Sequence, residues 1–305
     1  MHPQDDKERM TQLLFEQLNA NGVFFAEESV LSLYSVGKVS GVSIDMAHSG
    51  INVMAVVDGQ PMAQTATRIP CGGRELSAMM QAAIMHPGDG ASHSAAFEGI
   101  YDANPLGCYA KEKVARVAAT EEEYTASAAT SSSSSSSPAA ADEEFTLPDG
   151  SNIRVRECDR LMVGEAVFQP EKIFRSAKVP PSGSCAKAAL GPGVVDATIQ
   201  AVLNSHTDHR RLLLDQIVVW GGTSRLRGLR ERLLTEITAR APGTQRPTIV
   251  QVPDYLDSGS TLPYASWVGG SILAKHVFPQ NQFITRPEYD EYGPTRSTRP
   301  VRDPK

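Results

Sequence analysis

Residues 217–237 constrain this chain more than any other stretch. Ile217-Val218-Val219-Trp220 is a short apolar run of β-favouring residues. It leads directly into Gly221-Gly222-Thr223-Ser224, and an amphipathic stretch begins at Leu229. The pattern predicts a buried strand, a tight turn and the start of a helix. Paired glycines let a backbone approach a ligand closely, and a helix N-terminus favours anionic groups. The same turn must reverse the chain whether or not a ligand is present, so the glycines alone do not establish binding.

The rest of the chain divides by period and punctuation. Met10, Leu13, Leu14 and Leu18 recur at helical spacing and predict a helix over 5–19. A second helix is expected over 28–34, ending at Gly37. Residues 42–45 and 51–57 read as a hairpin, closed off by Asp58-Gly59. Gly72-Gly73-Arg74-Glu75 opens a helix running to about 85, and residues 110–123 read as another. No period is visible over 86–104. The serine tract 131–137 cannot bury apolar area and predicts a flexible loop near 125–142. Leu147-Pro148-Asp149-Gly150 turns between two short strands in 145–155. Residues 171–192 form a Pro/Gly/Ser/Lys-rich loop. Helices are expected over 194–204, 228–238 and 267–278, and a strand over 248–252. The glycines inside 267–278 predict close helix packing.

Three segments taken in order carry more than any of them singly. They are Trp220-Gly221-Gly222-Thr223, then Ser266-Trp267-Val268-Gly269-Gly270-Ser271-Ile272-Leu273-Ala274, then Ile284-Thr285-Arg286-Pro287-Glu288-Tyr289-Asp290-Glu291-Tyr292-Gly293-Pro294. Together with Val30-Leu31-Ser32-Leu33-Tyr34, Gly73-Arg74 and Phe168-Gln169-Pro170, they resemble the actin family from about residue 7 to 294. The resemblance implies an α/β fold, the two-domain clamp shared by actins, sugar kinases and heat-shock chaperones. It implies that 1–35 and 265–305 belong to subdomain 1, 36–71 and 179–264 to subdomain 3, and 72–178 to subdomain 4. Set against the family, these 305 residues begin about a third of the way along. The first phosphate hairpin, its lysine and the outer small subdomain then have no counterpart here, and apolar faces over 10–18 and 267–278 are expected to be partly bare.

The resemblance also implies a site. Asp45 falls on the aspartate of the second phosphate hairpin, Gly73 on a hinge-side contact, and Lys111 and Glu112 on the nucleoside-contacting pair. Gly221, Gly222 and Thr223 fall on the adenosine loop. Read from the residues alone, Lys111-Glu112 is a solvated pair on a helix, and Asp45 is a hairpin residue accepting backbone hydrogen bonds. The phosphate side departs from the family: Met46-Ala47-His48-Ser49 replaces its serine and Gly-Asp-Gly, Glu28 its water-placing glutamine, and Asn52 its histidine. ATP or ADP would therefore be held weakly, Mg2+ would lack its wall, and no catalytic or metal-ligating residue is assigned. The implied role is a non-catalytic or weakly nucleotide-binding structural subunit, with actin-type or complex-subunit protein partners, in a cytoskeletal or nuclear assembly. Autonomous filaments are not expected. The alternative is an ATP-binding member with slow, magnesium-dependent hydrolysis.

Charge and cysteine usage narrow the classes. A net charge of −6 argues against a broad nucleic-acid surface, although Arg296, Arg299, Arg302 and Lys305 make the tail basic. No apolar run is long enough for a bilayer, so no membrane role is expected. Cys71, Cys108, Cys158 and Cys185 show no CxxC spacing, and the start is charged, which points to a reducing, cytoplasmic setting. His206-x-x-His209 has ligand-like spacing but lies in a polar connection, so capping or solvation is the expected role.

Overall fold

The computed structural model describes residues 4–84, 105–131, 142–147, 150, 152–171, 191–241, 246–251 and 262–297. The aperiodic stretch 86–104, the serines from 132 on, most of the 171–192 loop and the tail from 298 on lie outside the described residues.

Helix α1 (Gln4–Gln12) runs on through a π-helical turn, Leu13–Gln17, to strand β1 (Gly22–Val23) and helix α2 (Glu28–Ser35). The central sheet then begins with β2 (Gly41–Met46) and β3 (Ile51–Val57), the expected hairpin. The short strands β4 (Gln60–Pro61) and β5 (Thr67–Ile69) follow, and helix α3 (Gly73–Ile84) leaves the sheet. Strand β2 is buried along its whole length although Ser43 and Asp45 alternate with Val42, Ile44 and Met46, whereas its partner β3 reads as a near-continuous apolar run.

The expected helix over 110–123 is two helices, α4 (Pro105–Val114) and α5 (Glu121–Ser131). Tertiary contact interrupts it: the Val117 amide donates to the Arg227 carbonyl at 2.8 Å, an extended rung that a helix cannot make. Thr120 and Glu123 then cap α5. The Glu123 amide donates to the Thr120 hydroxyl at 3.2 Å, and its carboxylate accepts from the Ala119 amide at 2.6 Å. The first part of the loop expected near 125–142 is therefore helical through Ser131. The Arg116 guanidinium ties this region together, pairing with Glu123 at 2.9 Å and with Glu157.

Strands β6 (Glu143–Thr146) and β7 (Asn152–Val155) form the expected outlying hairpin, followed by α6 (Glu157–Glu165) and α7 (Val194–Leu203). The polar connection expected to hold His206 and His209 is instead the start of helix α8 (Thr207–Asp215). His206 is its N-cap, Nδ1 accepting from the Asp208 amide at 3.5 Å, so the capping expectation holds. Among the described residues no three His, Cys, Asp or Glu side chains converge as metal ligands. Strand β8 (Ile217–Trp220) lies parallel to β2 and leads to α9 (Leu229–Arg240). The strand expected over 248–252 is reduced to a single parallel rung, Ile249 beside Ile217, and residues 252–261 lie outside the described part.

The sheet order is β4-β3-β2-β8, with β5 also on β3. One core joins Ile44, Leu76, Met79, Met80, Val195, Val202 and Leu233. The other face buries Leu33, Val56, Val218 and Trp220 beneath α2 and α10 (Ala265–Val277). The Trp220 indole donates to Ser43 Oγ at 2.9 Å, and Ser43 Oγ also meets Ser32 Oγ at 2.8 Å, so the polar atoms in this layer are satisfied. A Cβ at Gly269 would run into the Leu31 carbonyl, which is the close packing of α10 on α2 that the glycines predicted. Strand β9 (Ile284–Thr285) pairs with β1, and α11 (Arg286–Ser297) closes a small outer layer on Phe15, Val23 and Tyr289.

Candidate functional site

The site forms where β2, β8 and α3 meet around the 46–50 turn. Parallel pairing places Asp45 beside Trp220, and antiparallel pairing places it opposite Asn52. Asp45 is only 6% exposed, and Asn52 Nδ2 donates to its Oδ2 at 3.2 Å. Burial pushes the Asp45 carboxyl up to about 6. Glu28 adds to the rise, while the Asn52 hydrogen bond and Arg68 oppose it. Gly221 follows at φ 92°, a left-handed conformation. A Cβ there would stand 2.6 Å from the Met46 carbonyl and 2.9 Å from Asp45 Oδ1, so only glycine lets β8 turn this close to β2. At Gly222 an added Cβ meets open space.

Gly73 opens α3 across the gap. A Cβ on it would lie 3.2 Å from Thr223 Oγ1, 3.3 Å from Lys111 Nζ and 3.4 Å from His48 Cα. A hydroxyl, an ammonium and the hairpin thus close in on Gly73 more tightly than an ordinary side chain allows, so the missing Cβ is what lets them converge. Lys111 comes from α4, and its buried Nζ donates to the Gly73 carbonyl at 2.9 Å and to Ser77 Oγ at 3.0 Å. Thr223 Oγ1 donates to the Ala47 carbonyl at 3.4 Å. Five of the seven expected residues, Asp45, Gly73, Lys111, Gly221 and Thr223, therefore meet at one junction, with Gly222 at its open rim. Glu112 is exposed, and its carboxylate accepts from the Cys108 thiol at 3.8 Å within α4. That contact does not carry it to the junction.

Two residues absent from the expected set hold the site. Glu75 is 1% exposed, its Oε2 accepts from the Gly72 amide at 3.0 Å, and its Oε1 pairs with Arg74. Ser77 donates to the Gly73 carbonyl at 2.8 Å and accepts from Lys111. The signal was present in the sequence: an acid in the first turn after Gly72-Gly73, and a hydroxyl four residues beyond Gly73.

Sequence comparison identifies the family of the chain that builds this junction. The Actin family profile covers residues 1–92 and 99–300. The chain belongs to the actin family. It is a divergent, actin-related member. It is 31% identical over 293 residues to actin-related protein 7 of Arabidopsis thaliana, spanning 96% of this chain and 71% of that protein. Identity to actin-related protein 7 of Oryza sativa, subspecies indica and japonica, is 32%, covering 72% of each. The α/β fold of this actin-related chain is the one the sequence resemblance implied.

Proposed function

We propose that this chain is a non-catalytic, weakly nucleotide-binding interaction subunit, working with protein partners in a cytoskeletal or nuclear assembly. The observation that carries the reading is the pairing of Asn52 with Asp45 at 3.2 Å. Hydrolysis of a phosphoanhydride needs a positioned, activated water and neutralised charge. Here a neutral amide is turned into the sheet, where it serves a buried carboxyl. Glu28, at the exposed start of α2, adds negative charge toward the same carboxyl. The nucleoside side is better furnished, with Lys111 and Thr223 converging on Gly73.

Phosphate release by the purified chain with magnesium and ATP is expected to match a protein-free control. Native mass spectrometry of the complex isolated from its own source is expected to show it at fixed stoichiometry with other polypeptides. Steady turnover that vanishes in Asp45→Ala would replace this reading with the slow ATPase, which draws on the carboxyl that Asp45 keeps at the junction.

A further inference from the structure

The β1–β9 ribbon has one blocked edge and one open edge. Successive pairs in an antiparallel ladder alternate between exchanging both backbone bonds and exchanging none. The Thr285 amide donates to the Glu288 carboxylate at 2.8 Å, so Gly22 and Thr285 are not the bonded pair and Val23 and Ile284 are. Glu288, which also accepts from Thr285 Oγ1 at 2.8 Å, thereby closes the far edge of β9. The backbone groups of Gly22 and Phe24 then point to the other edge of β1. Among the described residues no strand pairs with that edge, and Phe24 makes no backbone–backbone bond.

Proteins commonly guard such an edge with lysine, proline or a bulge. Here Gly22-Val23-Phe24-Phe25-Ala26 carries no charge and no proline. Both of its faces are apolar. Val23 is buried in the layer with Phe15 and Tyr289, and Phe25 packs against the same cluster. Phe24 points to the opposite face and is 43% exposed.

We propose that a second copy of this chain occupies the open edge, the two β1 strands pairing antiparallel about a twofold axis at Phe24. The stretch complements itself in this register. Phe24 exchanges both backbone bonds with its counterpart, and Gly22 bonds with Ala26 of the second copy. Directly opposed residues share a face, so the two Phe24 rings meet on one side while Val23 meets Phe25 on the other, joining the two buried layers. Glu27 falls opposite Asn21, whereas parallel in-register pairing would set Glu27 beside Glu27. The product is a four-stranded sheet in the order β9-β1-β1-β9, in place of a two-stranded ribbon that is marginal alone. Glu288 blocks both outer edges, so the pair closes and does not grow into a filament.

Sedimentation equilibrium of the whole chain over about 1–100 μM tests it, with dimers expected to build up across that range. Phe24→Lys sets like charges against each other and is expected to weaken association at least about tenfold. Its urea melt at the dilute end should match that of the unaltered chain, because Phe24 belongs to no buried cluster. Phe24→Glu alone should behave the same way. An equimolar mixture of the two variants is expected to associate again, since the register sets residue 24 against residue 24. Trp267→Ser, on α10, is expected to leave the dimer intact. A single chain at every concentration, assemblies that grow past two, or a dimer that Trp267→Ser abolishes and Phe24→Lys spares would overturn the inference. So would a mixture of the two Phe24 variants that stays monomeric.

Discussion

The central body and the outer layer of this molecule are built from the same kinds of residue and hold together very differently. In the body, helices cover both faces of β2, β3 and β8, and Ile44, Leu76, Met79 and Met80 have no solvent contact. In the outer layer, β1 and β9 are two residues each, and the buried apolar set is Phe15, Val23 and Tyr289. A pair of strands this short is not stable by itself. It is held by the Phe15–Tyr289 ring stack at 4.6 Å, by Arg286 donating to the Phe15 carbonyl at 2.8 Å, and by the Tyr289 hydroxyl donating to Glu16 at 2.8 Å. Burial, with Glu16 beside it, pushes the Tyr289 phenol up to about 12, so it stays protonated and keeps donating across ordinary pH.

Around this layer Met10, Leu13, Leu18, Phe24 and Phe278 are exposed, and Trp267 on α10 is 75% exposed. Partly bare apolar faces were expected from the sequence for 10–18 and 267–278. The comparison teaches that closure of a sheet by cover on both faces, rather than apolar content, decides which part of the chain is rigid enough to hold a site. The junction of Asp45, Gly73, Lys111 and Thr223 sits on the rigid part.

The comparison breaks most visibly under core truncation. Leu76→Ala is expected to cost about 2–5 kcal/mol in a urea melt, whereas Leu13→Ser on the outer layer should change stability by less than about 0.5 kcal/mol. Equal costs would erase the distinction between the two regions.

A buried charge sharpens it next. The Asp45 carboxyl, ordinarily near 3.8, is raised to about 6, so the folded state binds the proton more tightly than the unfolded one. Its cost is absent below about pH 4, grows between about 4 and 6, and is fully present above that, reaching about 3 kcal/mol. Asp45→Asn keeps an acceptor for Asn52 and is expected to recover most of that at pH 7. It should also flatten the stability profile between pH 4 and 6. An unchanged pH profile would mean that the carboxyl is solvated.

Gly221→Ala follows, with an expected cost of about 1–3 kcal/mol from the left-handed φ and the approach to the Met46 carbonyl. Gly222→Ala meets open space and should cost well under 1 kcal/mol. The smallest effect is spectroscopic. Of the two tryptophans, Trp220 is 4% exposed and Trp267 is not sheltered. Acrylamide should quench the redder component alone, and Trp267→Phe should remove that component with little change in the melt. Uniform quenching would show that the Trp267 face of α10 is covered in solution.

The sequence by itself determined the family, the βα unit at 217–237, the 41–57 hairpin and the close packing signalled by Gly269-Gly270. Each is a local pattern: an apolar run, a glycine at a turn, a small residue where helices touch. It also named most residues of the junction, through motifs whose spacing survives divergence. The tertiary structure alone decided the break between α4 and α5, because a strand rung from Val117 to Arg227, more than a hundred residues away, outcompeted helix propensity. It reduced the 248–252 strand to one rung and left Glu112 facing out while Lys111 faces in, since neighbours on a helix point about 100° apart. It also settled where the Gly72, Gly73 and Arg74 amides go. A hydrogen bond's partner depends on which distant carbonyl the fold delivers, and no local sequence pattern encodes that.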